Sequence, residues 1–120
     1  MGLNKEKKDS QKQREGIVLS RCLEWLALNG FFAWRNNTGT AKIDMRFIRF
    51  GQPGSTDIIC ILPDGKFLGI ECKTKNGKQL LPQQVFERQV KKNKGYYILA
   101  RDPSDIIAFL KSEGYSIPNP

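Results

Sequence analysis

The chain has 120 residues, 39% hydrophobic and 27% charged, which suits one globular domain with one core. Its net charge is +8, from 20 basic and 12 acidic residues, and it contains no histidine. That absence excludes zinc hydrolases with histidine ligands, Ser-His-Asp triads and nucleases that use a histidine base.

The basic balance favours a polyanionic partner. No apolar run approaches the ~20 residues that span a bilayer. The charged start "MGLNKEKKDSQKQREG" has no signal-peptide core, so an intracellular chain without a membrane partner is expected. Cys22, Cys60 and Cys72 are scattered in apolar contexts and read as small buried hydrophobes.

Residues 1–13 form a basic segment, expected as a flexible arm or as the first turns of a longer helix. A single domain over 14–115 and a loose tail over 116–120 complete the expected organisation. From Arg14 to Asn29 the pattern is helical. Val18, Leu19, Cys22, Leu26 and Asn29 lie 3, 4, 7, 11 and 14 residues after Glu15, on one stripe. Gly30 is the stop. Glu15 thus begins a buried stripe, either as a site carboxylate or as an acid favoured by the helix dipole.

"FFAWRNN" reads as a first strand, with Phe31, Phe32 and Trp34 expected in the core. "IDMRFIRF", residues 43–50, reads as another strand, with Arg46 and Arg49 on opposite faces. "GQPGST" is a loop, and "DIICILPDGKFLGIECK" is a hairpin. Pro82 suits the first turn of a helix "QQVFERQVKKNKG" closed by Gly95. "YYILAR" is a strand. "DPSDIIAFLKSEG" is a helix capped by Asp102 or Ser104 and stopped by Gly114. The expected fold is α/β, a mixed sheet flanked by helices in the order α-β-β-β-α-β-α. The crossover into "YYILAR" is its parallel element.

"LPDGK" predicts a three-residue loop with a bulge at Gly65. Paired positions then sum to 128, and Asp57 faces Glu71 with Lys73 on the same side. A two-residue loop would sum to 129 and put the two acids on opposite faces. Opposed carboxylates repel. A cation between them resolves the conflict, and all-oxygen ligation points to Mg²⁺ or Mn²⁺. Lys73 would then orient the attacking water or stabilise the phosphorus transition state. The competing reading is a surface ion pair, Asp57 with Lys73 or Glu71 with Lys75.

"GSTDIICILPDGKFLGIECKTKNGK" resembles the core of the PD-(D/E)xK nucleases. The ordered set "QREGIVLSRCLEWL", "WRNNTG", "GSTD", "IECK", "LPQQVF" and "YYILARDPSDIIAFL" is similar to the VRR-NUC branch, the stand-alone type typical of phages. Holliday junction resolvases share that fold, a restriction-endonuclease-like one. Thr56 stands where the commonest pattern has proline.

The resemblance implies Asp57 and Glu71 as central metal ligands and Lys73 as the catalytic lysine. Glu15 would reach the metal directly or through a water. It also implies a glutamine on the second helix. Gln83 has the helical phase of Phe86 and Val90, whereas Gln84 fits a Pro-x-Gln spacing. Arg35, Asn36, Asn37 and Thr38 are candidate phosphate contacts, extended by Lys42, Arg46, Arg49, Lys75 and Lys78. The implied activity is a Mg²⁺- or Mn²⁺-dependent endonuclease, acting as a homodimer on branched DNA such as four-way junctions. The alternatives are a DNA-junction-binding module that does not cut, and an RNA-cleaving nuclease of the same fold.

Overall fold

A computed structural model describes residues 2–118, with side chains from Ser10 onward. Helix α1 spans Gly2–Leu28, so the basic arm forms its first turns. Strands β1 (Phe32–Arg35), β2 (Gly39–Ile43), β3 (Arg46–Phe50), β4 (Ile58–Ile61) and β5 (Phe67–Cys72) follow. Then come α2 (Leu81–Lys92), β6 (Tyr96–Ala100) and α3 (Pro103–Ser112).

Five strands therefore precede α2, where the expected order had three. The segment 43–50 is not one strand. Asp44 (φ 48°) and Met45 (φ 67°) both adopt the left-handed conformation and turn the chain between β2 and β3. Such a two-residue turn is normally announced by Asn-Gly, and Asp-Met hides it.

The main sheet has the order β1-β4-β5-β6, and β2-β3 is a separate two-stranded ribbon. β1 and β5 flank β4 antiparallel, while β6 joins β5 in parallel through the α2 crossover. The architecture is thus an α/β domain with a mixed sheet and three helices.

Sheet parity decides the layers. Ile58, Cys60, Leu62, Leu68, Ile70 and Cys72 face Leu19, Cys22 and Leu26 of α1 and Ile106 and Leu110 of α3. Each large apolar side chain buried there contributes about 1.5–3 kcal/mol. The expected α1 stripe is the buried one, and all three cysteines are free thiols inside the core. On the opposite face, Phe86 of α2 meets Phe67 and Tyr97, each at 6.4 Å between ring centroids.

Each helix ends in one left-handed residue followed by a hydrogen bond back to the last turn. Gly30 and Gly114 take that position as expected. In α2 the left-handed residue is Lys94 (φ 65°), not Gly95. Gly95 N instead donates to Val90 O at 2.9 Å. Its missing side chain matters because a Cβ would sit 3.0 Å from Val90 Cγ1. Asp102 caps α3, accepting from Ser104 N at 2.9 Å.

One further expectation is corrected. Phe32 and Trp34 are exposed rather than core, at 68% and 40%. They lie on edge strand β1, opposite Ile61 and Ile59, on the face whose far half is covered by α2. The end of the domain and the start of the tail touch the core. Tyr115 and Ile117 pack against the core, and the Tyr115 hydroxyl donates to Asp64 Oδ2 at 2.8 Å.

Candidate active site

The hairpin register decides which side chains meet. Ile58 pairs with Ile70, Ile59 with Gly69, Cys60 with Leu68 and Ile61 with Phe67, so paired positions sum to 128. The loop is the three-residue one. Leu62 N donates to Lys66 O at 2.9 Å, Gly65 N to Leu62 O at 2.7 Å, and Gly65 is left-handed (φ 89°). Asp57, immediately before β4, therefore stands beside Glu71 of β5. Its Oδ2 accepts from Cys72 N at 2.8 Å.

Glu71 and Lys73 are 4% and 6% exposed, values rare for charged residues. Lys73 Nζ lies 3.9 Å from Glu71 Oε1, at the outer limit of an ion pair. Cys72, between them in sequence, points into the core with Cys22. Of the two surface pairs expected, Asp57 with Lys73 or Glu71 with Lys75, neither is among the ion pairs of the described residues; Lys73 approaches buried Glu71 instead.

Gln83, rather than Gln84, turns to this face. Its Nε2 donates to Glu71 Oε1 at 3.0 Å, while its Oε1 accepts from Leu80 N at 2.8 Å. One amide thus closes the start of α2 and holds one oxygen of Glu71. The other oxygen, Oε2, is buried without a hydrogen-bond partner. Gln83→Ala is expected to destabilise the fold by about 1–2 kcal/mol in urea unfolding. Exposed Gln84→Ala should stay within about 0.5 kcal/mol.

Burial, and next the Asp57 carboxylate, push Glu71 up to about 8; Lys73 works against them and Glu15 adds to them. The sign of the pH effect follows. Between its ordinary 4.5 and about 8, the folded protein keeps a proton on Glu71 that the unfolded chain releases. The stabilisation is complete below that lower value and is lost as pH rises through the upper one. In EDTA, the melting temperature should fall across this window, and Glu71→Gln should flatten the fall.

Glu15 is half-buried at the end of the α1 stripe, near enough for its charge to act on Glu71. Among the described residues, however, no group of three or more His, Cys, Asp or Glu side chains is gathered to hold a metal. Glu15 does not complete such a cluster with Asp57 and Glu71. What remains is a carboxylate pair with an unsatisfied buried oxygen. That donor set fits Mg²⁺ or Mn²⁺, which bind through one or two carboxylates and leave positions for water and phosphate.

The other candidates divide. Arg35, Asn37, Thr38, Lys42, Arg46, Arg49, Lys75 and Lys78 are exposed. Asn36 is committed elsewhere. Its Nδ2 donates to Ser55 Oγ at 2.7 Å and Thr56 O at 3.0 Å, and its N donates to Asp57 O at 2.8 Å. It anchors the start of β4 rather than offering a free donor. Thr56 is fully buried and donates to Ile58 O at 2.9 Å, shaping the same turn.

Two contributors had no sequence signal beyond their place near strand ends. Arg101, just after β6, donates from Nη1 to Thr74 O and Gly77 O, fixing the loop that follows Lys73. Buried Tyr97 accepts from Gln79 Nε2 at 3.1 Å, and its phenol is pushed up to about 12 by burial. Comparison of the chain with protein-family models, with curated proteins and with solved structures finds no match.

Proposed function

We propose that the chain is a divalent-cation-dependent endonuclease of the VRR-NUC type that hydrolyses phosphodiester bonds in branched DNA. The observation that carries this reading is half-buried Asp57 beside buried Glu71, with no protein donor to Glu71 Oε2 and buried Lys73 on the same face. Asp57 and Glu71 would hold Mg²⁺ or Mn²⁺. Such an ion, when bound, lowers the pKa of a water and offsets charge on a phosphate oxygen. Lys73, shielded from solvent, donates a charge-assisted hydrogen bond to the phosphate or to the attacking water. Gln83 keeps Glu71 in one rotamer, and Arg101 keeps the Lys73 loop in place.

The exposed basic side chains and the +8 charge supply sequence-independent affinity for the phosphate backbone. Among the described residues no helix is long and apolar enough to cross a membrane. A homodimer belongs to the same proposal. Phe32, Trp34, Ile59 and Ile61 share the half of the α2-side sheet face that α2 leaves open and form the apolar surface a second copy would cover. Trp34→Asp should convert a dimer to a monomer in sedimentation equilibrium.

The second reading is a non-catalytic junction-binding module, favoured by the lack of a three-residue metal group among the described residues. The deciding assay incubates labelled four-way DNA junctions, linear duplexes and matched RNAs with Mg²⁺, Mn²⁺ or EDTA. Metal-dependent cutting of the junction supports the endonuclease. Binding without cutting in every metal supports the module, and preferential cutting of RNA supports the RNA nuclease.

A further inference from the structure

The β2–β3 ribbon is the part of the structure least explained by the core. Every residue of its two strands except Ala41 is exposed. A lone two-stranded hairpin is at best marginally stable in water, so such a ribbon gains by being held against something. Its register makes it two-faced. Gly39–Phe50, Ala41–Ile48 and Ile43–Arg46 pair on one side, which is largely apolar. Thr40–Arg49 and Lys42–Phe47 pair on the other. There Phe47, 78% exposed, lies directly across from Lys42 and two residues from Arg49. No acid belongs to either strand; the one acid of the hairpin, Asp44, is in its turn.

The ribbon is also rooted at the candidate site. β1 ends with Arg35 opposite Ile58, and Asn36 then binds the Asp57 carbonyl. The two stems close together beyond that point, since a Cβ on Gly51 would lie 2.6 Å from Thr38 Cγ2. The arm, about 17 Å along each strand, therefore leaves the body beside Asp57.

We propose that the Thr40–Lys42–Phe47–Arg49 face of this ribbon is a nucleic-acid-holding arm. Lys42 and Arg49 bind phosphates, and Phe47 stacks on an unpaired base. The argument is charge complementarity together with the placement of one exposed aromatic between two cations, the arrangement that grips a strand without reading its sequence. A ribbon of this width also fits a DNA major groove, but Phe47 favours a strand with accessible bases. The inference rests on the nucleic-acid reading of the site and adds to it where the strand is gripped.

The test is fluorescence anisotropy in EDTA with full-length protein and three labelled probes: a single-stranded DNA, a four-way DNA junction and a linear duplex. Phe47→Ala should weaken single-strand binding about 5- to 100-fold and duplex binding less. Phe47→Trp should restore it. The Lys42→Ala/Arg49→Ala double variant should lower the slope of log affinity against log salt by about 1.5. The Ile48→Ala variant on the opposite face should bind like the wild type. Wild-type binding that all these variants retain, with an unchanged salt slope, overturns the arm while leaving the nuclease reading standing. No binding of any nucleic acid by the wild type overturns both. All the substituted side chains are outside the core, and circular dichroism melts would check that each variant folds.

Discussion

Lys73→Ala is expected to lower cleavage of a four-way DNA junction by about 10²–10³-fold, with junction affinity unchanged within about threefold. The expectation comes from burial. Lys73 is 6% exposed and contributes little to the electrostatic surface that collects DNA. Its charge is held 3.9 Å from Glu71, in a low-dielectric setting where one donor is worth far more than in water. Asp57→Asn should cost as much or more, since it removes a charged member of the pair while keeping an acceptor for Cys72 N. A purely structural role would show the opposite split: lower melting temperatures with proportionate, modest losses in rate. Single-turnover cleavage and direct binding, measured on the same preparations, separate the two outcomes.

Gly54→Ala is the second large effect, and it acts on the scaffold. Gly54 is left-handed (φ 74°), and a Cβ there would lie 2.2 Å from Pro82 O and 2.5 Å from Pro82 C. Those atoms are backbone at the first turn of α2, one residue before Gln83, and cannot rotate aside. The substitution must displace the loop or the helix start that presents Gln83 to Glu71. We expect about 2–4 kcal/mol of destabilisation in urea unfolding, with cleavage reduced in step. Gly65→Ala is the control. It is equally left-handed (φ 89°), but its Cβ would meet nothing within 4 Å, so only about 1 kcal/mol is expected. The gap between the two variants measures the close approach rather than the backbone conformation.

Most of the candidate site was legible because its placement depends on local rules. The "PDG" turn sets a register, and a register of 128 puts Asp57, Glu71 and Lys73 on one face by parity alone. Gln83 over Gln84 follows from helical phase, and the structure adds the hydrogen bond that rewards it. The α1 stripe predicted its buried residues for the same reason. What escaped depends on tertiary context. Asp44 and Met45 turn the chain without glycine, so the ribbon was hidden inside an apparent strand. Phe32 and Trp34 look like core residues in composition, and only the strand order shows them at an uncovered edge. Arg101 holds carbonyls 24 and 27 residues away, which no local pattern encodes. Glu15 had the right stripe, but it lies mid-helix in α1 and gathers no metal-holding group with the carboxylate pair among the described residues.

The most direct test of the central claim is a crystal of the chain soaked in millimolar Mn²⁺, with anomalous scattering used to locate the ion. The account predicts one Mn²⁺ bound by Asp57 and by Glu71 through Oε2, the oxygen that has no protein donor. It would be contradicted by a crystal without Mn²⁺ at this pair in which Lys73 has closed onto Glu71.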